Sequence, residues 1–507
     1  MKKTILLILN KGDLPFYLKD LCKALSLDPT FNIARYHVNI ERKAPSVVSE
    51  QLKSLLPSFT ASHADQFLPE YTVKEQTLVP TLLINLTDQP YPEIPWADIP
   101  VLHPAFLTNL SGTFSTAILQ AIINKENFIK CGILRSTSEE SHYNLTEGTF
   151  IVLPYNYKMT LSLTIRGVLH LLLHCISQLN SSHNPSPLTD FVNYPTISTS
   201  DINKVERQIK LARRKHQLHQ LLYSYKWNIG IIDSPMEEVA LHPGKKWEVK
   251  WLKEATGECF NADPFGIMED GKPVLFFEYF NGTKGEIFLQ SNGNESQNLQ
   301  LSNYHCSYPF IVEEKGTIYC IPEQQASGKL SLYKYSRAAK TLEFICNILE
   351  GFHAVDPSLV FHEDKWWLFC TNAADKGADI RLYIFHSIEL QGPWKPHQLN
   401  PVKTDIRSAR PGGHFFRKDG QLYRPSQDSS KGYGGSLVIN RIDRLSPEIY
   451  IETPVNRLHP EQLSGSYSEG WHTISSCGKF TLVDGKRKKF NPRNLLKIFR
   501  KNQHALL

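Results

Sequence analysis

The pattern of apolar and polar positions changes character along the chain. Up to about residue 180, short apolar runs alternate with amphipathic stretches. Residues 5–9, 33–38 and 81–86 predict strands, and residues 16–25 and 112–123 predict helices. Such alternation is typical of an α/β domain with a mainly parallel sheet. We therefore predict an α/β N-terminal domain over residues 1–180.

A linker and a helix are predicted next, over residues 181–226. The stretch up to residue 200 is rich in Ser, Asn, Pro and Thr, which favours a loop. Apolar residues then recur at helical spacing from residue 201 to 225, and the opposite side of this helix is basic.

Beyond residue 227 a short unit recurs: a polar lead-in residue before Pro, a strand, a tight turn and an aromatic-rich strand. The lead-in residues of the four clearest copies are 45, 48 and 54 residues apart: Asp263, Tyr308, Asp356 and Arg410. A weaker fifth copy runs from Glu469 to Val483. This spacing suits a four-stranded sheet per repeat, so we predict an all-β five-bladed propeller over residues 227–485.

The lead-in residues carry the candidate chemistry, because the innermost strands of a propeller converge on its axis. The fifth copy offers Glu469 or His472, and Glu278 and Glu323 each follow their lead-in by 15 residues. Two aspartates and a glutamate around one pocket can supply a base or nucleophile, a charge stabiliser and a general acid for glycosidic chemistry. The alternative is structural, because an Asp before Pro often caps a turn and Glu323 could be a rim residue.

Several motifs in this region resemble one family. They are residues 307–310, 318–323, 392–397, 409–413 and 420–428, with Tyr433-Gly434. Together they look like the propeller region of the glucosamine inositolphosphorylceramide transferases, over residues 227–455. That region is similar to the five-bladed glycosidases and transferases of families 43, 32 and 68.

The resemblance implies catalytic roles for Asp263, Asp356 and Glu323. We further expect substrate contacts from five residues: Arg410, Tyr308, Glu278, Asp428 and His472. In the plant transferases a separate C-terminal domain is expected to transfer the sugar. Because only about 50 residues follow residue 455 here, without an Asp-x-Asp metal site, we expect that activity not to carry over.

The N-terminal part resembles the formyltransferase fold, which is Rossmann-type. The run from Pro100 to Leu107, followed by Gly112 and an apolar helix, matches the strand end that carries a catalytic histidine, here His103. Val101 stands where that family has Asn, and Thr146 stands where it has Asp. We therefore expect a degenerate site at His103, with a pseudo-enzyme scaffold favoured over formyl transfer.

Composition narrows the function classes. The 507 residues are 41% hydrophobic, with a net charge of +6, which is too weakly basic for a dedicated nucleic-acid binder. Eight basic and no acidic residues follow residue 485, so we predict a basic C-terminal tail, 486–507, suited to an anionic membrane surface. Apolar runs are interrupted, which argues against a membrane-spanning helix. Nine scattered cysteines without CxxC indicate free thiols and a cytoplasmic protein, peripheral at the membrane through its tail.

The leading hypothesis is a carbohydrate-active protein of surface-glycan or glycolipid metabolism, resembling a glycosidase or glycosyltransferase. Its propeller pocket would bind a glycan, sugar nucleotide or glycolipid, and would cleave or transfer a glycosyl unit. One alternative is a non-catalytic glycan-binding or scaffold protein. A second is a sugar N-formyltransferase with a propeller specificity module. No metal and no cofactor are predicted.

Overall fold

A computed structural model describes residues 3–10, 31–38, 82–85, 99, 101–106, 114–138, 141–177, 186–187, 199–291, 296–374 and 378–491. The chain divides into two compact units, Met1–His216 and Gln217–Leu507. The eight cysteines among the described residues are all free thiols.

The first unit contains parallel strands, as the alternating pattern predicts. Its strands are β1 Lys3–Asn10, β2 Phe31–Val38, β3 Leu82–Asn85, β4 Val101–Phe106, β5 Phe128–Ser138, β6 Ser141–Ile151 and β7 Ser186–Pro187. Strands β2, β1, β3 and β4 pair in parallel in that order, whereas β4, β5 and β6 pair antiparallel. The helix predicted over residues 16–25 lies outside the described residues. The resemblance to formyltransferases stays a prediction.

Three helices are described in or at the edge of this unit: α1 Phe114–Ile123, α2 Tyr157–Ser177 and α3 Thr199–Leu222. One of them, α2, contains a segment, Tyr157–Ile176, that is long and apolar enough to cross a membrane. Its mean hydropathy is 1.5, although isolated polar residues interrupt it as the sequence analysis describes. The segment is 61% buried within the protein and packs on β5 and β6, which is typical of a core helix.

The second unit is built mainly of antiparallel sheets. We call them sheets I to V, and sheets I, II, IV and V have four strands each. Sheet I contains β10 Phe260–Glu269, β11 Lys272–Phe280, β12 Gly285–Ser291 and β13 Gln297–Asn298. Sheet II contains β14 Ser307–Glu314, β15 Thr317–Glu323, β16 Lys329–Ser336 and β17 Thr341–Glu350.

Sheet III is the least regular. It contains β18 Ala354–His362, β19 Lys365–Asn372 and β20 Arg381–Ser387, and β20 pairs with both β21 Lys395–Pro396 and β22 Lys403–Asp405. Sheet IV contains β23 Phe416–Lys418, β24 Gln421–Asp428, β25 Ser436–Leu445 and β26 Tyr450–Leu458.

Sheet V joins the two ends of the unit. Its strands are β27 Ile474–Cys477 and β28 Phe480–Phe490, together with β8 Tyr223–Ile232 and β9 Lys250–Trp251 from the start of the unit. A short helix, α4 Met236–Leu241, connects β8 and β9. Ten residues of β28 pair with β8, from Thr481 to Phe490. The first basic residues of the predicted tail, at 486–489, therefore belong to a strand.

Tight turns link the first two strands of sheets I to IV, and those of sheets I, II and IV lie where the repeats predict them. Asp270-Gly271, Lys315-Gly316, Glu363-Asp364 and Asp419-Gly420 all have positive φ. Two-residue hairpin turns favour positive φ because this backbone twist matches the twist of the flanking strands. The repeated turn therefore fixes the register of each pair.

Buried apolar side chains connect each sheet to the next. One cluster spans sheets I, II and III, a second joins III to IV, a third joins IV to V, and a fourth joins V back to I. Because the packing returns to the sheet at which it began, the arrangement is propeller-like. The predicted mostly β architecture of this region is confirmed at this level.

Candidate functional site

A cavity of about 300 Å³ collects the polar ends of several sheets of the second unit. Four of its lining residues are acidic: Asp263, Glu278, Glu323 and Asp356. Its other side chains include three with basic nitrogens, His305, Arg410 and His472, and four aromatic ones, Trp227, Phe260, Phe280 and Tyr433. The cavity therefore brings together most of the residues that the sequence singles out.

Backbone bulges orient the lead-in residues. Asp263, Tyr308 and Asp356 have φ values of 51°, 44° and 48°, and each lies within a register shift of the first strand pair of its sheet. A positive φ is unfavourable for a non-glycine residue, costing on the order of 1–3 kcal/mol, and such strain clusters at functional sites. The same strained bulge in three sheets turns two aspartates toward the cavity.

Glu278 and Glu323 occupy equivalent positions. Glu278 lies opposite Ala262 in sheet I, and Glu323 lies opposite Ser307 in sheet II. Each glutamate therefore pairs with the residue immediately before the lead-in residue of its sheet. The 15-residue spacing seen in the sequence thus corresponds to one structural position. Both side chains reach the cavity.

The carboxylate oxygen Oδ2 of Asp356 accepts hydrogen bonds from two side chains. Arg410 Nε donates to Asp356 Oδ2 at 2.5 Å, and Gln427 Nε2 donates to the same oxygen at 2.6 Å. The backbone N–H of Asp356 donates to Glu323 Oε2 at 2.9 Å. Asp356 is therefore fixed as a hydrogen-bond acceptor beside Glu323.

Arg410 extends this network to the edge of the cavity. Its Nη1 donates to Asp379 Oδ1 at 2.9 Å, and its guanidinium carbon lies 5.0 Å from the ring centroid of Tyr433. A substrate that contacts Arg410, as predicted, would share this guanidinium with the carboxylates of Asp356 and Asp379.

A second network surrounds Asp263. Thr473 Oγ1 donates to Asp263 Oδ1 at 2.8 Å, and His472 Nε2 lies 3.6 Å from the same oxygen. On the other side of the imidazole, His472 Nδ1 is 2.5 Å from Asp484 Oδ2. Asp484 also accepts the backbone N–H groups of Asp263, His472 and Thr473. One fully buried carboxylate thus organises the whole corner of the cavity.

Burial in the cavity raises the pKa of several of its acidic side chains, and the neighbouring charges differ from one acid to the next. Burial raises the pKa of Asp263 to about 6, with His472 opposing this shift and Asp356 and Asp484 adding to it. Burial raises the pKa of Glu278 well above its usual range, and the charges of Asp263 and Glu323 raise it further.

The pKa values of Glu323 and His472 are also raised. Burial and the neighbouring Asp356 raise the pKa of Glu323 well above its usual range, although Arg410 lowers it in part. Burial lowers the pKa of His472, but Asp484 and Asp263 outweigh it, so the pKa of this imidazole is raised. The cavity therefore holds two glutamates whose pKa is raised by burial next to two aspartates with cationic or hydroxyl hydrogen-bond partners.

Aromatic rings form one wall. Trp227 stacks on His472 with the ring centroids 4.0 Å apart, and Tyr433 meets His472 edge-on at 5.3 Å. Gly434, with a φ of +63°, lies so close that a Cβ there would be 2.6 Å from Trp227. Aromatic faces beside hydrogen-bonding groups are suited to ligands with both apolar faces and hydroxyl edges.

Two predicted site residues of the second unit, Tyr308 and Asp428, do not line the cavity. Tyr308 is fully buried in the core, with its hydroxyl 2.8 Å from Ser358 Oγ, because the bulge places this large ring between sheets. Asp428 pairs with Arg457 and accepts the N–H of Ser430, so it anchors the loop that carries Tyr433. The predictions of substrate contacts from Tyr308 and Asp428 are not supported by these positions.

His103 belongs to the first unit. It lies on β4 opposite Leu134, and burial lowers the pKa of its imidazole to about 4. The imidazole is therefore neutral at pH 7. The degenerate site predicted around it stays a prediction.

The sequence interpretation assigned no role to several residues of the cavity region, among them Asp484, Thr473, Gln427 and Tyr433. Asp484 had a signal, because it is an acid directly after the apolar strand residues 480–483, where solvent exposure is unexpected. Gln427 and Tyr433 lie in motifs that carry the family resemblance, whereas Thr473 carries no pattern of its own.

One group among the described residues could hold a metal ion. Ligand atoms of Asp263, His472 and Asp484 all lie within 4.8 Å of one another. In the structure the imidazole of His472 lies between the two carboxylates, with Nδ1 2.5 Å from Asp484 Oδ2 and Nε2 3.6 Å from Asp263 Oδ1. The prediction of a site without metal stays a prediction.

The second unit is similar in sequence to known proteins. Residues 250–475 match the family described as glucosamine inositolphosphorylceramide transferase 1, N-terminal. The protein of that name from Oryza sativa subsp. japonica is 33% identical over 252 residues, which cover 45% of this chain and 33% of the relative. The one from Arabidopsis thaliana is 32% identical over 306 residues, covering 52% of this chain and 39% of the relative. The chain thus spans between a third and two fifths of the length of these curated relatives.

Solved structures show weaker similarity. The catalytic domain of a GH62 α-L-arabinofuranosidase from Coprinopsis cinerea aligns with a TM-score of 0.34 at 10% identity, covering 44% of this chain and 90% of that one. An exo-β-1,3-galactanase from Clostridium thermocellum aligns with a TM-score of 0.33 at 13% identity, covering 40% and 52%. These scores are too low to assign the fold, which rests on the strand pairing. The resemblance predicted from the sequence motifs is confirmed as a similarity of residues 250–475 to the N-terminal region of the glucosamine inositolphosphorylceramide transferases.

Proposed function

We propose that sheets I to V are the blades of a five-bladed propeller and that the cavity lies on its axis. Two features support this count. Sheet V is completed by β8 and β9 from the start of the unit, and the apolar clusters connect V back to I. Sheet III would be the middle blade, with β21 and β22 sharing its outer position.

The proposed function is binding of a glycan in this cavity, with cleavage or transfer of a glycosyl unit. The observation that carries it is the set of four carboxyl groups with unlike surroundings in one aromatic-walled cavity. Acid–base cleavage of a glycosidic bond needs one protonated and one ionised carboxyl group at the same pH. Glu323, with its raised pKa, would donate the proton, and Asp263 would act as base or nucleophile above pH 6.

Asp356 would stabilise charge rather than transfer a proton. Arg410 and Gln427 keep it in place as an acceptor, and its backbone N–H orients Glu323. Glu278 and His472 would contact substrate hydroxyls from the other side of the cavity.

The substrate class is proposed from the relatives. Their name describes transfer of glucosamine to inositolphosphorylceramide, a glycolipid precursor. We propose that this chain acts on or binds the sugar headgroup of a glycolipid, with a sugar nucleotide as donor if the reaction is transfer.

A non-catalytic glycan-binding protein is the second candidate. The observation that favours it is the full engagement of Asp356 by Arg410 and Gln427, because a substrate would have to compete for that oxygen. This candidate keeps the same ligand and the same cavity.

Activity and binding assays distinguish the catalytic function from non-catalytic glycan binding. Wild-type protein would be assayed for release of nitrophenolate from a panel of 4-nitrophenyl glycosides, and for transfer from UDP-N-acetylglucosamine to inositolphosphorylceramide. We expect turnover of one substrate, with kcat falling about 10²–10⁴-fold in Asp263→Asn and in Glu323→Gln. Calorimetry should show that both variants still bind the ligand.

The matched control is Asp443→Asn, which removes an acid paired with Arg441 on sheet IV, away from the cavity. Its turnover should equal that of wild type. Binding without turnover in wild type would favour the second candidate, and full activity in both cavity variants would refute the proposed site.

A further inference from the structure

One face of the β8–β28 pair carries alternating aromatic and basic side chains. The register places Trp227 opposite Lys486, Tyr225 opposite Lys488 and Tyr223 opposite Phe490. Side chains alternate along a strand, so these six residues share one face. We call this face the aromatic–lysine stripe.

The lysines of the stripe lie over its rings. Lys486 Nζ is 5.1 Å from the ring centroid of Trp227 and 5.2 Å from that of Tyr225. Lys488 Nζ is 4.0 Å from the centroid of Tyr223. These contacts hold the two ammonium groups in place without neutralising them.

The two faces of this strand pair differ in charge. On the opposite face, Lys226 and Arg487 both pair with Glu254. On the stripe, Lys486 donates to the backbone carbonyl of Tyr433 at 2.7 Å, and no carboxylate of the described residues forms an ion pair with it or with Lys488. Glu469 is close enough to raise the pKa of Lys486, but burial lowers that pKa to about 8, so the group is still mostly charged at pH 7.

The stripe reaches from the cavity to the surface. Trp227 lines the cavity, whereas Tyr225 is 43% exposed and Phe490 is 60% exposed. Lys488, next to them, is exposed as well. Exposed aromatic rings among lysines are the side chains that favour the headgroup region of a membrane, where the rings have one apolar side and one wet side.

We propose that the aromatic–lysine stripe binds the anionic headgroups of a lipid bilayer. Lys486 and Lys488 would contact lipid phosphates, and Tyr225 and Phe490 would enter the headgroup layer. Bilayer binding does not depend on the function proposed above. Its consequence, that the cavity opens beside a lipid-linked glycan, does rest on that function.

Charge favours a membrane over nucleic acid as the partner. Without the eight basic residues after 485, the chain has a net charge of −2, so positive charge is concentrated at this end. Four further basic residues follow the stripe in sequence, at 493, 497, 500 and 501. A short basic surface on an otherwise slightly acidic protein suits a planar anionic surface better than a long polyanion.

Cosedimentation of the full chain with vesicles tests this proposal. One vesicle contains phosphatidylcholine alone, and the other contains three parts phosphatidylcholine to one part phosphatidylserine. We expect binding to the second vesicle only. Lys488→Gln should lower the partition coefficient about fivefold, and Phe490→Ser should lower it further when combined with that change.

The matched control is Lys489→Gln, which removes the same charge from the next residue of β28 on the opposite face. Its partition coefficient should change less than about twofold, and thermal unfolding of all variants should match wild type. The vesicles contain no glycolipid, so Asp263→Asn should bind them normally even if the proposed function fails.

Several outcomes would overturn the proposal. Equal losses in Lys488→Gln and Lys489→Gln would show unspecific charge attraction. Full binding by the stripe variants, with loss in Lys497→Gln plus Arg500→Gln, would assign the membrane contact to the tail alone. Equal binding to both vesicles, or tight binding to single-stranded RNA instead of vesicles, would also contradict it.

Discussion

The carboxyl groups of the cavity differ because of their neighbours. Asp263 and Asp356 have the same residue type, the same position in their repeats and nearly the same φ. Asp356 receives hydrogen bonds from Arg410 and Gln427, whereas Asp263 has only the Thr473 hydroxyl and the imidazole of His472. A guanidinium stabilises a carboxylate more strongly than a hydroxyl does. Two equivalent aspartates can therefore serve different steps.

The first prediction concerns Thr473→Val. The Thr473 hydroxyl lowers the pKa of Asp263, which burial raises from 3.8 to about 6. Any step that needs the Asp263 carboxylate should gain rate as the pH rises through about 6. Without the hydroxyl, the pKa of Asp263 should rise further, so this acidic limb should move to higher pH. The pH dependence of kcat/KM, or of ligand affinity, measures it.

Thr473→Ser is the control, because it keeps the hydroxyl and should leave the limb near pH 6. An unchanged limb in Thr473→Val would mean that another group governs it.

At the scale of elements, sheet IV shows how a buried ion pair fixes a functional loop. Arg424 of β24 donates to Glu452 of β26 through Nη2 at 2.7 Å and through Nε at 2.9 Å. Its Nη2 also donates to the carbonyl of Ser408 at 2.6 Å. Ser408 lies two residues before Arg410. The ion pair therefore holds the backbone that carries the cavity guanidinium.

The second prediction concerns Glu452→Gln. The side chains of Arg424 and Glu452 are only 1% and 3% exposed, so removing the carboxylate leaves a buried charge without its partner. We expect the free energy of unfolding to fall by about 3–5 kcal/mol, measured by urea denaturation at pH 7. Asp443→Asn breaks an exposed pair and should cost about 1 kcal/mol or less. Similar losses in both variants would contradict this reasoning.

The sign of the pH dependence follows from the same pair. Arg424 and Lys403 overcome burial and lower the pKa of Glu452 from 4.5 to about 2. Its contribution to stability should thus be complete above pH 4.5 and decline as the pH falls toward 2. In Glu452→Gln this part of the acid dependence should be missing.

At the scale of the whole molecule, sheet V decides whether the second unit closes. Strand β28 is an inner strand of this sheet, paired with β27 on one side and β8 on the other. Its inner residues also carry Asp484, which binds the backbone around Asp263 and His472. Closure and the geometry of the cavity therefore depend on the same strand.

The third prediction compares two truncations. Ending the chain after Gly478 removes β28 and leaves β8 without its partner, so we expect loss of the cooperative unfolding transition of the second unit. Ending it after Asn491 keeps every described strand and should leave the transition within a few degrees of the full chain. Thermal scanning calorimetry measures both. A cooperative transition in the shorter form would show that the unit is stable without closure.

Much of this architecture could be predicted from the sequence because it is local and repeated. The lead-in residues, the hairpin turns and the 15-residue spacing of Glu278 and Glu323 each report on one sheet at a time. Periodicity of this kind indicates a mostly β propeller-like unit before any contact is known. Tyr308 shows what such a repeat cannot predict. The repeat correctly indicated that this residue lies on a strand, but it could not show that the ring is buried in the core.

What the sequence by itself determined is the repeat, the residue types at its lead-in positions and the concentration of basic residues at one end. Only the tertiary structure decided which side chains meet: Asp484 with His472 and Asp263, Gln427 with Asp356, and β28 with β8. These pairs are separated in sequence by many residues, and no local pattern encodes them. Hydrogen bonding and desolvation depend on such distant neighbours, so the chemistry of the cavity is a property of the folded chain.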